Sequence, residues 1–66
     1  MELNTIAQIS HEVWEVFCKY HPEGTDLGTF PDDVHVLDEK YKSTEGYKFM
    51  QGLLKVYFDE LNRIKG

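Results

Sequence analysis

The sequence predicts an all-α fold, a small three-helix domain made of a helical hairpin plus a short middle helix. Apolar residues recur every three or four positions in three separate stretches, which is the spacing of one buried helix face. A nine-residue segment, 21–29, separates the first two stretches and contains two glycines and one proline. Because 66 residues suffice for one domain, we expect the whole chain, 1–66, to be a single helical domain.

The last stretch carries the clearest helical pattern. Its apolar residues follow steps of three and four and predict a helix over 44–64: Tyr47, Met50, Leu54, Tyr57, Leu61 and Ile64. Ser43 or Thr44 is the expected N-cap, with Glu45 in the first turn. A helix with so apolar a face must be covered by the rest of the chain.

The first stretch predicts a helix over 5–20, because its apolar residues repeat in the same way: Ile6, Ile9, Val13, Val16 and Tyr20. Thr5 and Gln8 have the spacing of a capping box, which places the helix start at Thr5. Pro22 and Gly24 predict the helix end, since proline disfavours helical geometry in the residue before it. Leu27 and Phe30 are the expected anchors of the loop that follows.

The middle stretch predicts a helix over 31–42, with one apolar face: Phe30, Val34, Leu37 and Tyr41. Pro31 suits the first turn of a helix, and Asp32 and Asp33 suit the positive end of its dipole. A strand over 34–37 is the competing interpretation, because Val-His-Val-Leu is β-prone. A lone strand would have no partner in the chain, so the pattern favours a helix.

The three apolar faces predict one shared core. Nine aromatic residues supply large buried areas, which compensate for the small size of the domain. We expect the core to contain Ile6, Ile9, Val13, Phe17, Val34, Leu37, Met50, Leu54, Tyr57 and Leu61.

Charge is unevenly distributed along the chain. The net charge is -5, with -8 in residues 1–39 and +3 in residues 40–66. The acidic surface between Glu23 and Glu39 is expected to repel nucleic acid and attract a basic protein. Neither a membrane-spanning run nor the apolar region of a signal peptide is visible, so we expect a cytoplasmic protein that does not bind membranes.

No constellation of reactive residues predicts catalysis. Cys18 and His21 are three residues apart, but no orienting residue or oxyanion hole accompanies them. His11 and Glu15 supply only two ligands of a metal site. The acids and His35 of the second helix are explained by the helix dipole. We therefore expect no enzymatic activity, no cofactor and no metal.

A second stripe on the last helix has two open interpretations. Phe49, Gly52 and Val56 lie about opposite the main apolar face. The middle helix covers this stripe, or the stripe meets another copy or a foreign partner. Trp14 is likewise a rim residue of the core or an interface anchor. The small size and the surplus apolar surface predict a homodimer.

Three fragments carry a resemblance to a protein group: Trp14-Glu-Val-Phe17-Cys-Lys19-Tyr20, then Lys40-Tyr41, then Leu53-Leu54 leading to Glu60-Leu61. Together they resemble short uncharacterised proteins encoded in prophages and mobile elements of Gram-positive bacteria. The resemblance implies a biological setting, that of a mobile-element accessory protein, and brings no catalytic or ligand-binding residues with it. Small acidic phage accessory proteins often bind a host protein, including the nucleases of host defence.

The functional expectation is therefore an interaction module that binds and inhibits a host protein, such as a nucleic-acid enzyme. One alternative is a helical nucleic-acid-binding regulator, in which the basic last helix contacts phosphate. A second alternative is a structural or assembly protein of a phage particle. The expected partner-binding residues are Trp14, Glu23, Asp26, Asp32, Asp33, Asp38, Phe49, Gly52 and Val56.

Overall fold

The computed structural model describes residues 1–65 and confirms the all-α class. Three helices form the domain: α1 (Leu3–Tyr20), α2 (Phe30–Tyr41) and α3 (Tyr47–Lys65). A short 3-10 turn, Leu27–Thr29, leads into α2. No strand occurs in the described part of the chain, and the β-prone residues 34–37 lie inside α2. The helical interpretation of the middle stretch is therefore confirmed.

The two long helices lie side by side and run in the same direction. Near the start of α1, Ile9 packs against Gly46, which lies just before α3. At the other end, the Lys65 ammonium donates a hydrogen bond of 3.0 Å to the carbonyl of Pro22, just after α1. The packing between α1 and α3 is more extensive than that between α2 and α3.

The middle helix runs antiparallel to both long helices. Its first residue, Phe30, contacts the end of α1, where the Tyr20 ring lies 5.3 Å away edge-on. Its last residue, Tyr41, meets the early part of α1, where the Gln8 amide donates to the Tyr41 hydroxyl at 3.2 Å. Phe30 also packs on Phe58 of α3, with ring centroids 4.9 Å apart. Consecutive helices therefore form antiparallel hairpins.

The core lies where the three helices meet. The buried residues are Ile9, Val13, Tyr20, Phe30, Leu37, Tyr41, Met50, Leu54 and Leu61. Six of these belong to the predicted core, and Tyr20, Phe30 and Tyr41 add to it. Four predicted core residues are only half-buried: Ile6, Phe17, Val34 and Tyr57. Tyr20, Phe30 and Tyr41, at the ends of α1 and α2, are more deeply buried than these four.

The predicted start of α1 is wrong by two residues. The helix begins at Leu3, so Thr5 lies inside it and does not cap it. Glu2 occupies the N-cap position without a side-chain hydrogen bond. Gln8 makes no capping box because its amide is directed to Tyr41 of α2. A tertiary contact thus replaces the local one that the spacing indicated.

The predicted start of α3 is also wrong. The helix begins at Tyr47, so Glu45 lies in the connection and not in the first turn. The Thr44 hydroxyl donates to the carbonyl of Tyr41 at 2.8 Å, which ties it to the end of α2. Gly46 is buried, and a Cβ at this position would lie 2.4 Å from Cδ1 of Ile9. Any larger residue here would force the buried Ile9 side chain to shift.

The loop before α2 follows the prediction. Gly24 adopts a φ of +88°, a left-handed conformation that glycine tolerates best. The Asp26 carboxylate accepts a hydrogen bond of 3.1 Å from the backbone N–H of Gly28 and caps the 3-10 turn. Pro31 lies in the first turn of α2. Leu27 is half-buried and packs against the core, so it anchors the loop as expected.

Candidate interaction surfaces

One side of the α1–α3 pair faces away from α2 and remains open to solvent. We call it the α1–α3 face, and it consists of Leu3, Ala7, Ser10, Trp14 and Phe17 of α1 with Phe49, Gly52, Leu53 and Val56 of α3. On each helix these positions repeat every three or four residues, so they form a second helical stripe. Leu3, Trp14 and Val56 are 80%, 49% and 63% exposed. Such a stripe ordinarily packs against another helix.

An aromatic cluster occupies the centre of this face. The Trp14 and Phe17 rings stack, with centroids 5.7 Å apart and planes inclined by 26°. Tyr57 of α3 contacts both, with centroids 6.2 Å from Trp14 and 4.9 Å from Phe17. Trp14 is therefore held in place by its neighbours while half of its surface stays accessible. A large aromatic ring fixed in this way can bind a partner at low entropic cost.

The stripe on α3 is not covered by α2. Phe58 is the α3 residue that meets Phe30 of α2, and it lies on another side of α3 from Gly52 and Val56. No atom lies within 4 Å of a Cβ placed on Gly52. Nothing in residues 1–65 therefore requires glycine at this position, although glycine inside a helix costs about 1 kcal/mol relative to alanine.

The nine residues of the α1–α3 face are uncharged, but Lys48 and Lys55 adjoin it on α3. If the three-or-four-residue spacing of the stripe is continued along α3, the next positions are Glu60 and Arg63, which pair with each other. Their Nε–Oε1 distance is 2.8 Å, and a second contact joins the same two side chains. The hydrogen bond from Arg63 holds the pKa of the Glu60 carboxyl below its usual value. The face thus differs from the rest of this acidic molecule.

The structure separates the predicted partner-binding residues into two groups. Trp14, Phe49, Gly52 and Val56 come together on the α1–α3 face. The five acidic residues lie instead in the loop and on α2: Glu23, Asp26, Asp32, Asp33 and Asp38. The acids of α2 lie on another helix from the face, whereas Glu23 lines a groove with His21, whose ring packs on Phe17.

Two of the five acids are free to meet a partner. Glu23 and Asp32 are exposed and make no ion pair within residues 1–65. Asp26 caps the 3-10 turn, and Asp33 binds residues of α1. Asp38 is half-buried, and its Oδ1 has no hydrogen-bond partner in the described part of the chain. The acidic surface is therefore smaller than the sequence indicates.

A polar cluster joins the end of α1 to the start of α2. Lys19 and Tyr20 both bind Asp33, and the Lys19 ammonium lies 3.0 Å from its Oδ2. The Tyr20 hydroxyl also contacts the Thr29 hydroxyl at 2.7 Å. The hydrogen bond from Tyr20, with a smaller contribution from Lys19, holds the pKa of Asp33 below its usual value.

A second cluster repeats this arrangement with the helices exchanged. Lys40 and Tyr41, the last two residues of α2, both bind Glu12 of α1. Partial burial raises the pKa of Glu12, but the hydrogen bonds from Lys40 and Tyr41 outweigh it, so the pKa lies below its usual value. Burial raises the pKa of Tyr41. We call these two clusters the Lys–Tyr clasps.

The clasps were not predicted. The sequence signal is a Lys-Tyr pair at the end of two successive helices, 19–20 and 40–41. Each pair binds a carboxylate on another helix, and that partner becomes known only once the helices are packed. Between the clasps lies a groove of about 280 Å³, with Val16 and Leu37 among its lining residues.

The candidate reactive residues, Cys18, His21, His11 and Glu15, do not belong to a larger group of reactive side chains in the described part of the chain. Cys18 is exposed and lines a groove of about 250 Å³ with Trp14, Phe17 and His21. His11 pairs with Glu15 at 2.6 Å. Within residues 1–65, no three His, Cys, Asp or Glu side chains form a group that could hold a metal ion. Over the same residues, no helix has both the length and the apolar character required to cross a bilayer.

Comparisons of the chain with protein-family models, with curated proteins and with solved structures find no match. The functional argument therefore rests on the chemistry of the surfaces. Of these, the α1–α3 face departs furthest from what a monomeric helical domain exposes.

Proposed function

We propose that the protein is a small, non-catalytic protein-interaction module that binds another protein through its α1–α3 face. The observation that supports this most directly is Trp14, which is half-exposed and contacts the rings of Phe17 and Tyr57. Tryptophan in a preorganised apolar surface is typical of the residues that dominate binding energy at interfaces. The uncharged residues of the face favour an apolar protein surface over nucleic acid as the occupant.

The acidic residues outside this face support a basic partner. Glu23 and Asp32 are exposed and remain without ion pairs in the described chain, in the loop and on α2. Together with the resemblance to phage accessory proteins, this leads us to propose a cytoplasmic inhibitor of a host protein. A defence nuclease is one example, because nucleic-acid enzymes carry basic grooves.

A nucleic-acid-binding regulator is the alternative with its own structural observation. Lys48 and Lys55 are exposed on α3 and form no ion pair in residues 1–65. Such lysines are free to contact phosphate, although the net charge of -5 opposes it. A structural or assembly role in a phage particle stays a third proposal.

Affinity purification from the cells that encode the protein, followed by mass spectrometry, tests the interaction module. The baits are the wild type, Val56→Arg and a matched control, Gln51→Arg, which places the same charge on an exposed position of α3 outside the face. A partner of the face should be retained by wild type and control and lost with Val56→Arg. Recovery of no host protein above background, even after cross-linking, contradicts the proposal.

Charge reversal separates the inhibitor from the regulator. The double variant Glu23→Lys, Asp32→Lys removes the free acids and leaves the clasps intact, because Asp33 is untouched. With the partner isolated and purified, an inhibitor of a basic protein should associate more slowly after this change. A regulator should instead bind DNA more tightly. Unchanged association with the partner argues against the acidic surface as its binding site.

A further inference from the structure

We propose that the surface covering the α1–α3 face is the same face of a second copy, so that the protein forms a homodimer in solution. This inference rests on the proposed function, because it names the protein that occupies the face. The loop and α2, with Glu23 and Asp32, then remain outward on both copies. Two properties of the face favour a second copy, and a third bears on how tightly two copies associate.

The first property is its width. Leu53 and Phe49 are half-buried against the core, whereas Gly52 lies about 100° round α3 from Leu53 and is fully open. A single helix in the groove between α1 and α3 would reach Leu53 and leave Gly52 and Val56 in solvent. A partner two helices wide covers all of them. A second copy presents a surface of that width.

The second property is charge. A net charge of -5 opposes self-association wherever acidic side chains would meet. The two charged residues that continue the stripe along α3, Glu60 and Arg63, neutralise each other, whereas Lys48 and Lys55 flank Gly52 without an ion pair in residues 1–65. Two copies can therefore approach through this face without bringing together the acidic side chains of α2. A strongly basic partner, in contrast, would be drawn to the acids of the loop and α2.

The third property is size. The face runs from Leu3 to Phe17 on α1 and from Phe49 to Val56 on α3, so it covers roughly 350 Å² in projection. The relief of the side chains makes its accessible area larger. Specific complexes bury about 600–1,000 Å² on each partner, so a dimer through this face belongs at the small, weakly associating end of that range.

Gly52 gives the inference a sharp test. Its open position costs helix stability in the monomer, but it permits the backbone of a second α3 to approach closely. A side chain at this position would be harmless to the isolated fold and would obstruct the dimer. Gly52→Arg and Val56→Arg should therefore both give folded monomers, whereas Gln51→Arg should associate like the wild type.

Sedimentation equilibrium between roughly 1 µM and 1 mM measures this directly. We expect the wild type to dimerise within this range, and each variant of the face to raise the dissociation constant by roughly 100-fold or more, because an arginine would be buried unpaired. Circular dichroism at each concentration reports whether the variants remain helical. The melting temperature of the wild type should also rise with protein concentration, since association stabilises the folded state.

A wild type that stays monomeric over the whole range overturns the inference. So does a dimer that survives both Gly52→Arg and Val56→Arg, because another surface must then hold it. If the protein is monomeric but Val56→Arg still abolishes capture of a host protein, the inference fails and the proposed function stands. If neither a dimer nor a host partner is found, both fail.

Discussion

At the scale of single residues, Gly46 and Gly52 show that nearby glycines can meet opposite requirements. Gly46 is buried where the chain presses against Ile9 of α1, so a Cβ has no room. Gly52 is exposed in the middle of α3, and a Cβ there meets nothing within 4 Å. The fold needs the first glycine, whereas only an external partner could need the second.

Alanine at these two glycines should therefore shift stability in opposite directions. Gly46→Ala should lower the free energy of unfolding by about 1–3 kcal/mol, because Ile9 is fully buried and has little freedom to move. Gly52→Ala should raise it by about 0.5–1 kcal/mol through helix propensity. Urea denaturation at low micromolar concentration, where any dimer is least populated, measures both. Equal effects would contradict this assignment of the two positions.

Leu54 is the core residue whose truncation gives the plainest test of the packing. It is buried on α3 and belongs to the central cluster. Leu54→Ala should lower the free energy of unfolding by about 2–5 kcal/mol, since a cavity remains where the side chain was. Lys55→Ala is the control, because Lys55 is exposed on the same helix and should change stability by less than about 0.5 kcal/mol. Similar losses in both variants would mean that the core is placed wrongly.

At the scale of helices, the Lys–Tyr clasps attach α2 to α1. Each clasp uses the terminal Lys-Tyr pair of one helix and a carboxylate of the other, Asp33 or Glu12. Tyr20 and Tyr41 are buried, so their hydroxyls bring the polar contacts to the edge of the core. A hydrogen bond to a charged group contributes about 1.5–3 kcal/mol when it is buried, and less here because the Glu12 and Asp33 side chains are 24% and 27% exposed.

The clasps predict a loss of stability in acid. The pKa values of Glu12 and Asp33 are lowered in the folded state, so the unfolded chain binds protons more readily. Their contribution is fully present above about pH 5 and is lost as the pH falls through about 4 and below the folded values. Thermal melts from pH 7 to pH 2 measure this dependence.

The double variant Glu12→Gln, Asp33→Asn should be less stable at pH 7 and should lose less on acidification. Asp32→Asn is the matched control, because Asp32 is exposed and lies beside Asp33 without an ion pair in residues 1–65. It should keep the acid sensitivity of the wild type. The clasp interpretation does not survive if the double variant and the wild type show the same pH dependence.

The sequence predicts the helices better than their ends and their polar contacts. The three-and-four spacing identifies α1 and α3 because it reflects which face is buried. The capping predictions at Thr5 and Thr44 fail because Gln8 and Thr44 use their side chains on α2 instead. Whether Gly52 and Val56 are exposed likewise depends on which side of α3 the middle helix covers. The spacing of apolar residues along α3 alone does not determine that side.

At the scale of the whole molecule, the unpaired acids and the apolar face belong to different elements. The apolar α1–α3 face is nearly neutral, and the free acids Glu23 and Asp32 lie in the loop and on α2. A homodimer through the face would carry a net charge of about twice that of one chain, with acids on both outer surfaces. Dimerisation would therefore strengthen the attraction of a basic partner.

The same charge distribution predicts no appreciable binding to duplex DNA at physiological salt. Few phosphates could be neutralised by a chain of net charge -5, even with Lys48 and Lys55 exposed. Gel shifts at about 0.15 M salt should show no complex at submicromolar wild type. The Glu23→Lys, Asp32→Lys variant tests how far charge alone is responsible, because it should bind better than the wild type. A salt-sensitive gel shift with the wild type would favour the nucleic-acid-binding regulator over the protein-interaction module.

The parallel arrangement of α1 and α3 has a consequence for the order of folding. The helices with the most extensive packing are the first and the last in the chain, with the whole of α2 between them. The hairpins form from neighbouring segments, but the main interface closes only when the chain has doubled back twice. Helical domains rich in non-local contacts fold more slowly than those with sequential ones. While a polypeptide is being synthesised, the side of α1 that packs against α3 therefore stays exposed until α3 has been made.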